Sequence, residues 1–356
     1  MHSLSSPSGR GSALSSGWQQ ETPPRLLTRC DVSSALQGVD PVETIEAALS
    51  AHAKGASDIP TEGYISWHNS VGAHCRSLAM LGGLTSKAPP VYGLKVINAA
   101  LSNPDRGLER AGGCTFLFDY ETGRPQVIAE AGLLSATRTA AYTLASIRRL
   151  GPAIADSITI IGCGALARVH CDLIVRHLPD VRRFVVFDLE SSRMASVTAA
   201  LEDASPSIEV RRASSAREAV ESSNVVVTTT TTTTGYIEAE WFQPGSFVAH
   251  VSLDDLVPSV FFDAQAVYVD DIDLVRDNPR RILGRLLSED GAGRIPLAGS
   301  FGEVIVGAVP AIRPSDGIVV SNPFGMAILD IALLEAVSKV AVASGLGRPL
   351  DLYGPS

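Results

Sequence analysis

Two features of this sequence carry residues able to do chemistry. One is a glycine-rich turn that bares backbone N–H groups; the other is a set of charged side chains in otherwise apolar segments. Gly162-Cys163-Gly164-Ala165-Leu166-Ala167 fits GxGxxA, with alanine at the third small position. It follows the hydrophobic run Ser157–Ile161 and opens a helical stretch over residues 168–177, the context such a turn requires. Gly162 permits a tight turn, and Gly164 lets the backbone approach a pyrophosphate. Ala165 and Leu166 lead from the turn to the helix N-terminus, which favours the charge of that group. Asp188 closes the next apolar run, FVVFD, roughly 20 residues beyond the glycines. A carboxylate there accepts hydrogen bonds from adenosine ribose hydroxyls and repels a 2′-phosphate, which predicts NAD over NADP. A purely structural turn beside a surface aspartate is the plain alternative.

Residues 228–234 are all threonine. Thr228, Thr229 and Thr230 fall at the C-terminal end of a strand, where open α/β sheets bind ligands. Their hydroxyls are expected to line the nicotinamide side, whereas Thr233 and Thr234 read as ordinary loop. Lys95 sits among Val91, Leu94, Val96 and Ile97, and burying an ammonium there is costly without a partner. Its alternative is an edge-strand lysine reaching solvent. Arg138 in ATRTAA reads as lying at a helix start, where a cation is unfavourable unless an anion is near. A substrate carboxylate or cofactor phosphates could supply that anion, and guanidinium offers bidentate geometry. Asp330 lies in the apolar helix that follows Asn322-Pro323-Phe324-Gly325. It could instead be an ordinary helix-surface carboxylate.

The elements that would hold these residues fall into two groups. Before residue 151 the chain reads as mixed α and β. A helix over Pro41–Ala53 is capped by Asp40, strands run over residues 92–98 and 114–120, and an Ala-rich helix covers 136–149. From residue 156 short strands alternate with helices: Ser157–Ile161, 184–188, 208–211, Val225–Thr228, 247–251 and Ala266–Val269. That alternation implies βαβ units and a parallel sheet. The expected fold is α/β, a Rossmann-type doubly wound parallel sheet over 151–322. A discontinuous α+β substrate-binding and dimerisation domain, 25–150 and 323–356, completes it after a disordered tail, 1–24. The last helix, 326–344, returns to the first domain.

Bulk properties narrow the partners. Hydrophobic residues make up 45% of the 356, enough for packed cores, and the formal charge of −9 argues against nucleic acid. Clustered Arg and Lys can still reverse the potential inside one cleft, so a small anionic substrate fits. The five cysteines, Cys30, Cys75, Cys114, Cys163 and Cys171, form no CxxC pair and read as reduced thiols in a cytoplasmic protein. No run is apolar enough to span a bilayer, and the seven histidines lack metal-ligand spacing, so neither a membrane nor a metal is expected.

Taken in order, GLKVINA (93–99), LFDYETGRP (117–125), EAGLLSATRTAA (130–141), the glycine turn and NPFGMAILDIA (322–332) resemble the ornithine cyclodeaminase/μ-crystallin family. The match runs from roughly residue 40 to the C-terminus. GLERAGG (107–113) and TGYIEAEWFQPGSFVAHVSLDD (234–255) are similar to its 2,3-diaminopropionate-forming branch, which serves siderophore and peptide-antibiotic biosynthesis. A cyclodeaminase proper would carry a GGDxPGK-like segment where Ser252-Leu253-Asp254-Asp255-Leu256-Val257-Pro258 stands, which disfavours ornithine. The branch implies NAD-dependent oxidation of N-(2-amino-2-carboxyethyl)-L-glutamate. Water then adds to the imine, and the carbinolamine collapses to 2-oxoglutarate and L-2,3-diaminopropionate.

The same resemblance assigns roles. The proton-relaying aspartate after the fifth strand matches Asp255 best, with Asp254 one residue away; either could merely cap the next segment. Lys95 matches the lysine facing nicotinamide and the substrate carboxylate. Arg138 and Thr139 go with the cofactor, Arg138 also with substrate, and Asp330 matches an aspartate near the nicotinamide. Arg110 matches the branch more than the wider family and suits a substrate with three carboxylates, although an ion pair with Glu109 or Asp105 would also explain it. Arg76 is a similar candidate. The sequence departs from the family at Ser66, where an arginine is usual, so one carboxylate could be held differently. Dimerisation through the first domain is expected. Two alternatives stand beside this reading: another amine or imine oxidoreductase (cyclodeaminase, ketimine reductase, opine or alanine dehydrogenase) and a non-enzymatic small-molecule binder.

Overall fold

The computed structural model describes residues 23–155, 157–288 and 292–352. The tail expected over 1–24 lies outside the described residues as far as residue 22. Pro24 is not part of a tail: its carbonyl accepts from Leu350 N–H at 2.8 Å, beside the strand Arg25–Leu27.

The fold is α/β, built around two eight-stranded sheets. In the second sheet the strands lie in the order Glu209–Arg212, Arg183–Phe187, Ser157–Ile161, Val225–Thr228, Phe247–His250, Val319–Asn322, Ala266–Val269, Leu297–Ser300. Every pairing is parallel. Helices cover both faces, which is why the central strands are continuous runs of Val, Ile and Phe rather than alternating patterns. The chain winds outward from Ser157–Ile161 in one direction and then returns to Val225–Thr228. The crevice at that reversal, above the carboxyl ends of the strands, is where such sheets take ligands.

The first sheet is mostly antiparallel. Its order is Arg348–Pro349, Arg25–Leu27, Pro125–Glu130, Ala111–Phe118, Val91–Ala100, His74–Leu84, Ser57–Asp58, with Gly63–His68 also paired on His74–Leu84. The helix Ala327–Ala343, apolar almost all round, lies on one face of it. Gly82 and Gly93 make that approach possible, because a Cβ at either would sit about 3 Å from Ile331 side-chain atoms. Paired residues share a face, and the face repeats every second residue. The helix-bearing face therefore presents Met80, Lys95 and Thr115 on one rung and Ser66, Arg76, Ala99 and Ala111 on another.

The helix Ala131–Leu150 begins five residues before the expected 136, because the Glu130 side chain caps it by accepting from Gly132 and Leu133 N–H. Arg138 is therefore about two turns inside the helix, and its charge is not explained by a helix start. Among the described residues no helix is long and apolar enough to cross a membrane.

Candidate active site

The glycine turn connects Ser157–Ile161 to the helix Ala165–His177, three residues longer at its start than expected. Gly162 has φ 89°, and a Cβ there would lie 2.9 Å from the Thr229 carbonyl and Thr230 N. Gly164 is the helix N-cap and has no side chain to accept from the first-turn N–H groups; a Cβ there would meet nothing within 4 Å. Bare donors at a helix start, with open space before them, fit a pyrophosphate. Beside them Asp188 accepts from Cys163 N–H at 2.7 Å and Glu190 N–H at 2.9 Å. Its carboxylate is thus fixed at the turn, at the end of the second strand, where the adenosine ribose of a dinucleotide would be read.

The threonine run is placed differently from expectation. Thr228 is fully buried and its hydroxyl is hydrogen-bonded to Ser252 Oγ at 2.8 Å, while Thr229 Oγ1 donates to the Gly162 carbonyl at 2.7 Å. These two hydroxyls brace the turn and are not presented to a ligand. Thr230, half-buried, donates to Asp255 Oδ1 at 2.6 Å.

The two adjacent aspartates diverge after Leu253, which adopts a left-handed φ of 73°. Asp255 is wholly buried, and three hydroxyls donate to it: Thr230 and, at 3.2 Å, Tyr236 on Oδ1, and Ser252 on Oδ2. Its backbone N–H donates to His250 Nε2 at 3.0 Å, and His250 Nδ1–H reaches Asn322 Oδ1 at 2.7 Å. Burial pushes the His250 pKa down, so the ring is a neutral fixture of the loop. Asp254, 2% exposed, instead accepts from Arg281 Nη1 at 2.5 Å and Ile282 N–H at 3.1 Å. The three hydroxyl donors to Asp255, Thr230, Tyr236 and Ser252, are each partly exposed, whereas Asp255 is not. Burial, then the Asp255 charge, raises the Tyr236 pKa strongly, so it remains a phenol able to donate.

On the first sheet Lys95 is 1% exposed, and its ammonium meets Asp330 Oδ2 at 2.6 Å. Neither the edge lysine nor the helix-surface aspartate describes what is there. Burial lowers the Lys95 pKa to about 8, with Asp330 opposing the fall. Arg138 Nε lies 3.3 Å from the same Asp330 oxygen, and its guanidinium packs over Gly325, where a Cβ would be 2.9 Å from Nη1. Asp330 Oδ1, Arg138 Nε and Thr115 Oγ1, opposite Lys95, are buried without a hydrogen-bond partner. Unmet groups of both signs in one place point to a polar ligand. Thr139 bonds its own helix, donating to the Ser135 carbonyl at 2.7 Å.

The other rung of this face carries Arg76, with Arg110 two strands away, just before Ala111, its carbonyl accepting from Ala100 N–H at 3.0 Å. Arg110 pairs with neither Glu109 nor Asp105; Glu109 is taken by Arg29 at 2.6 Å. Among the described residues Arg76 and Arg110 have no ion-pair partner. Burial is the main cause lowering both pKa values, followed by neighbouring guanidiniums: Arg110, Arg281 and Arg280 on Arg76, and Arg281 on Arg110. Arg280 pairs with Glu62 at 3.1 Å and stacks 4.0 Å above the Tyr64 ring. Arg280, Arg281, Tyr236 and Glu62 were not singled out from the sequence. The Arg-Arg doublet after Asn278-Pro279, in a chain of net charge −9, was the available signal.

The profile of the ornithine cyclodeaminase/mu-crystallin family matches residues 23–345. The chain is 29% identical over 313 residues to the N-((2S)-2-amino-2-carboxyethyl)-L-glutamate dehydrogenase of Staphylococcus aureus, covering 88% of this chain and 93% of that one. The crystal structure of CmnK superimposes with a TM-score of 0.90 and 52% identity, over 94% of this chain and 100% of CmnK. An archaeal alanine dehydrogenase, solved as a dimer with bound NAD, shares the fold at 22% identity, with a TM-score of 0.80 over 93% of this chain and 99% of that one. The glycine turn, the second sheet and the Lys95 rung therefore sit in a known frame: the chain belongs to the ornithine cyclodeaminase/mu-crystallin family.

Proposed function

We propose that this protein is an NAD-dependent dehydrogenase that oxidatively hydrolyses N-(2-amino-2-carboxyethyl)-L-glutamate to 2-oxoglutarate and L-2,3-diaminopropionate. The observation that carries the reading is a charge count. Lys95 and Arg138 against Asp330 leave one positive charge, and Arg76, Arg110, Arg280 and Arg281 against Glu62 and Asp254 leave two. With Asp255 set apart, since three hydroxyls rather than a cation meet its charge, the cations of the site outnumber the carboxylates by three, which suits a substrate with three carboxylates. The name of the Staphylococcus aureus relative supports the same substrate.

Gly162, Gly164, Ala165, Leu166 and Asp188 would hold NAD, which when bound supplies the hydride acceptor. Lys95 and Arg138 take the carboxylate next to the carbon being oxidised, so that carbon is fixed beside the cofactor site. Asp330 holds both cations and keeps Oδ1 free for an N–H donor of cofactor or substrate. Hydrolysis needs one group to accept a proton from water and return it to the departing nitrogen. Asp255 holds that proton, exchanging it with the cleft through the Thr230 and Tyr236 hydroxyls. This refines its expected role as a direct shuttle, since the carboxylate itself is enclosed.

The edge strand Gly63–His68 leaves Ile65 64% and Trp67 47% exposed, which supports a homodimer as the assembled form. The free thiols of all five cysteines support a cytoplasmic setting. The test is to mix the protein with NAD and the amine and follow NADH. Net NADH is expected, none with ornithine; a cyclodeaminase would recycle its hydride and show none with either.

A further inference from the structure

Arg281 takes no part in the hydride or proton chemistry, yet it reaches from the second-sheet half of the molecule toward Arg76 and Arg110 of the first sheet. We propose that Arg281 is a specificity-determining residue that binds a substrate carboxylate remote from the reacting carbon, with Asp254 as its positioning residue. The assignment rests on the polycarboxylate amine being the substrate class, and it gives the two neighbouring aspartates separate tasks.

The geometry supports this in three ways. Asp254 is fixed before any ligand arrives, since Oδ1 accepts from Ile282 N–H and Oδ2 takes only Nη1 of Arg281. Arg281 is thereby held by one end of its fork, and Nε and Nη2 have no hydrogen bond among the described residues. Second, Arg76 stands on the Ala99 rung, four residues along the strand from Lys95. At about 3.3 Å per residue the two rungs are about 13 Å apart, a distance spanned by two long side chains and an extended polycarboxylate but not by a small amino acid. Third, like charges gathered in a partly desolvated place are unfavourable without an anion. Arg280 has its own carboxylate and ring, and braces the segment. Arg281 has Asp254, while Arg76 and Arg110 have no carboxylate of their own among the described residues.

The experiment compares wild type with Arg281→Gln, Arg281→Lys and Asp254→Asn, all NAD-loaded. Substrate turnover is one readout, and calorimetric binding of glutarate and butyrate is another. Loss of a charge-assisted bond predicts that Arg281→Gln raises KM about 10- to 100-fold, with kcat falling less than about threefold. Glutarate weakens similarly and butyrate does not. Arg281→Lys, which keeps charge but loses the fork, falls between, and Asp254→Asn raises KM less without moving the pH profile of kcat. Unchanged KM and glutarate affinity in folded Arg281→Gln, or equal weakening of glutarate and butyrate, would overturn the proposal. If wild type turns over no such amine, the substrate reading fails by itself, and the glutarate–butyrate difference still decides for or against Arg281.

Discussion

The two ends of the cleft are built in opposite ways. The dinucleotide end is one continuous stretch: strand, Gly162 to Ala167, helix, with Asp188 closing the next strand. Each part has a local reason, a positive φ at Gly162 and an uncapped helix start at Gly164. The substrate end is assembled from six separated places, namely Arg76, Lys95, Arg110, Arg138, Arg281 and Asp330. Here it is the antiparallel register and the return of the Ala327–Ala343 helix that bring the charges together. The first kind of site is constrained by backbone and is shared across chemistries. The second is constrained by which charges meet, and a few substitutions can retune it.

The comparison can be broken most severely at the loop that joins the two ends. Asp255→Asn should lower kcat about 100- to 10,000-fold while leaving dinucleotide affinity nearly intact, as read by steady-state kinetics and NAD titration. Full activity would remove Asp255 from the proton path. The glycines provide a smaller, sharper contrast. Gly162→Ala forces a Cβ to within 2.9 Å of backbone at positive φ and should cost about 1–3 kcal/mol, seen as a lower Tm. Gly164→Ala meets no protein atom within 4 Å, so Tm should hold while NAD affinity falls about tenfold. Equal effects on both would mean the space before Gly164 is not for phosphate.

The smallest effect is one of pH. Lys95 in the free protein has its pKa lowered to about 8 by burial, and it is an ammonium only below that value. Carboxylate affinity should therefore be full below pH 8 and decline as pH rises through it. Asp330→Asn removes the charge that opposes the lowering, so the decline should begin at lower pH. A titration of 2-oxoglutarate binding against pH checks both.

Much of the frame was legible in the sequence because it is local. The helix Pro41–Ala53, with its Asp40 cap, and the strands Ser157–Ile161, Val225–Thr228 and Ala266–Val269 fall where pattern and caps place them. The eleven-residue strand His74–Leu84 did not read as one, since His74, Arg76 and the Gly82-Gly83 pair hide its alternation. Its identity comes from partners, Gly63–His68 and Val91–Ala100, on either side. Val319–Asn322 and Leu297–Ser300 were missed for another reason: each is four residues long and is recognisable only by insertion into the parallel sheet. Lys95 and Asp330 stood out as charges in apolar segments, but their pairing spans 235 residues and no spacing announces it. The threonine run misled for the reverse reason, as a hydroxyl at a strand end serves the protein as readily as a ligand. Arg281 needed the fold to give it neighbours.

The central claim is that this cleft oxidises a three-carboxylate amine at the carbon beside the carboxylate held by Lys95 and Arg138. Mass spectrometry of the protein incubated with NAD and N-(2-amino-2-carboxyethyl)-L-glutamate tests it most directly. One 2-oxoglutarate and one 2,3-diaminopropionate per NADH is the expected result. NADH accompanied by other products, or an intact amine with no NADH, would contradict it.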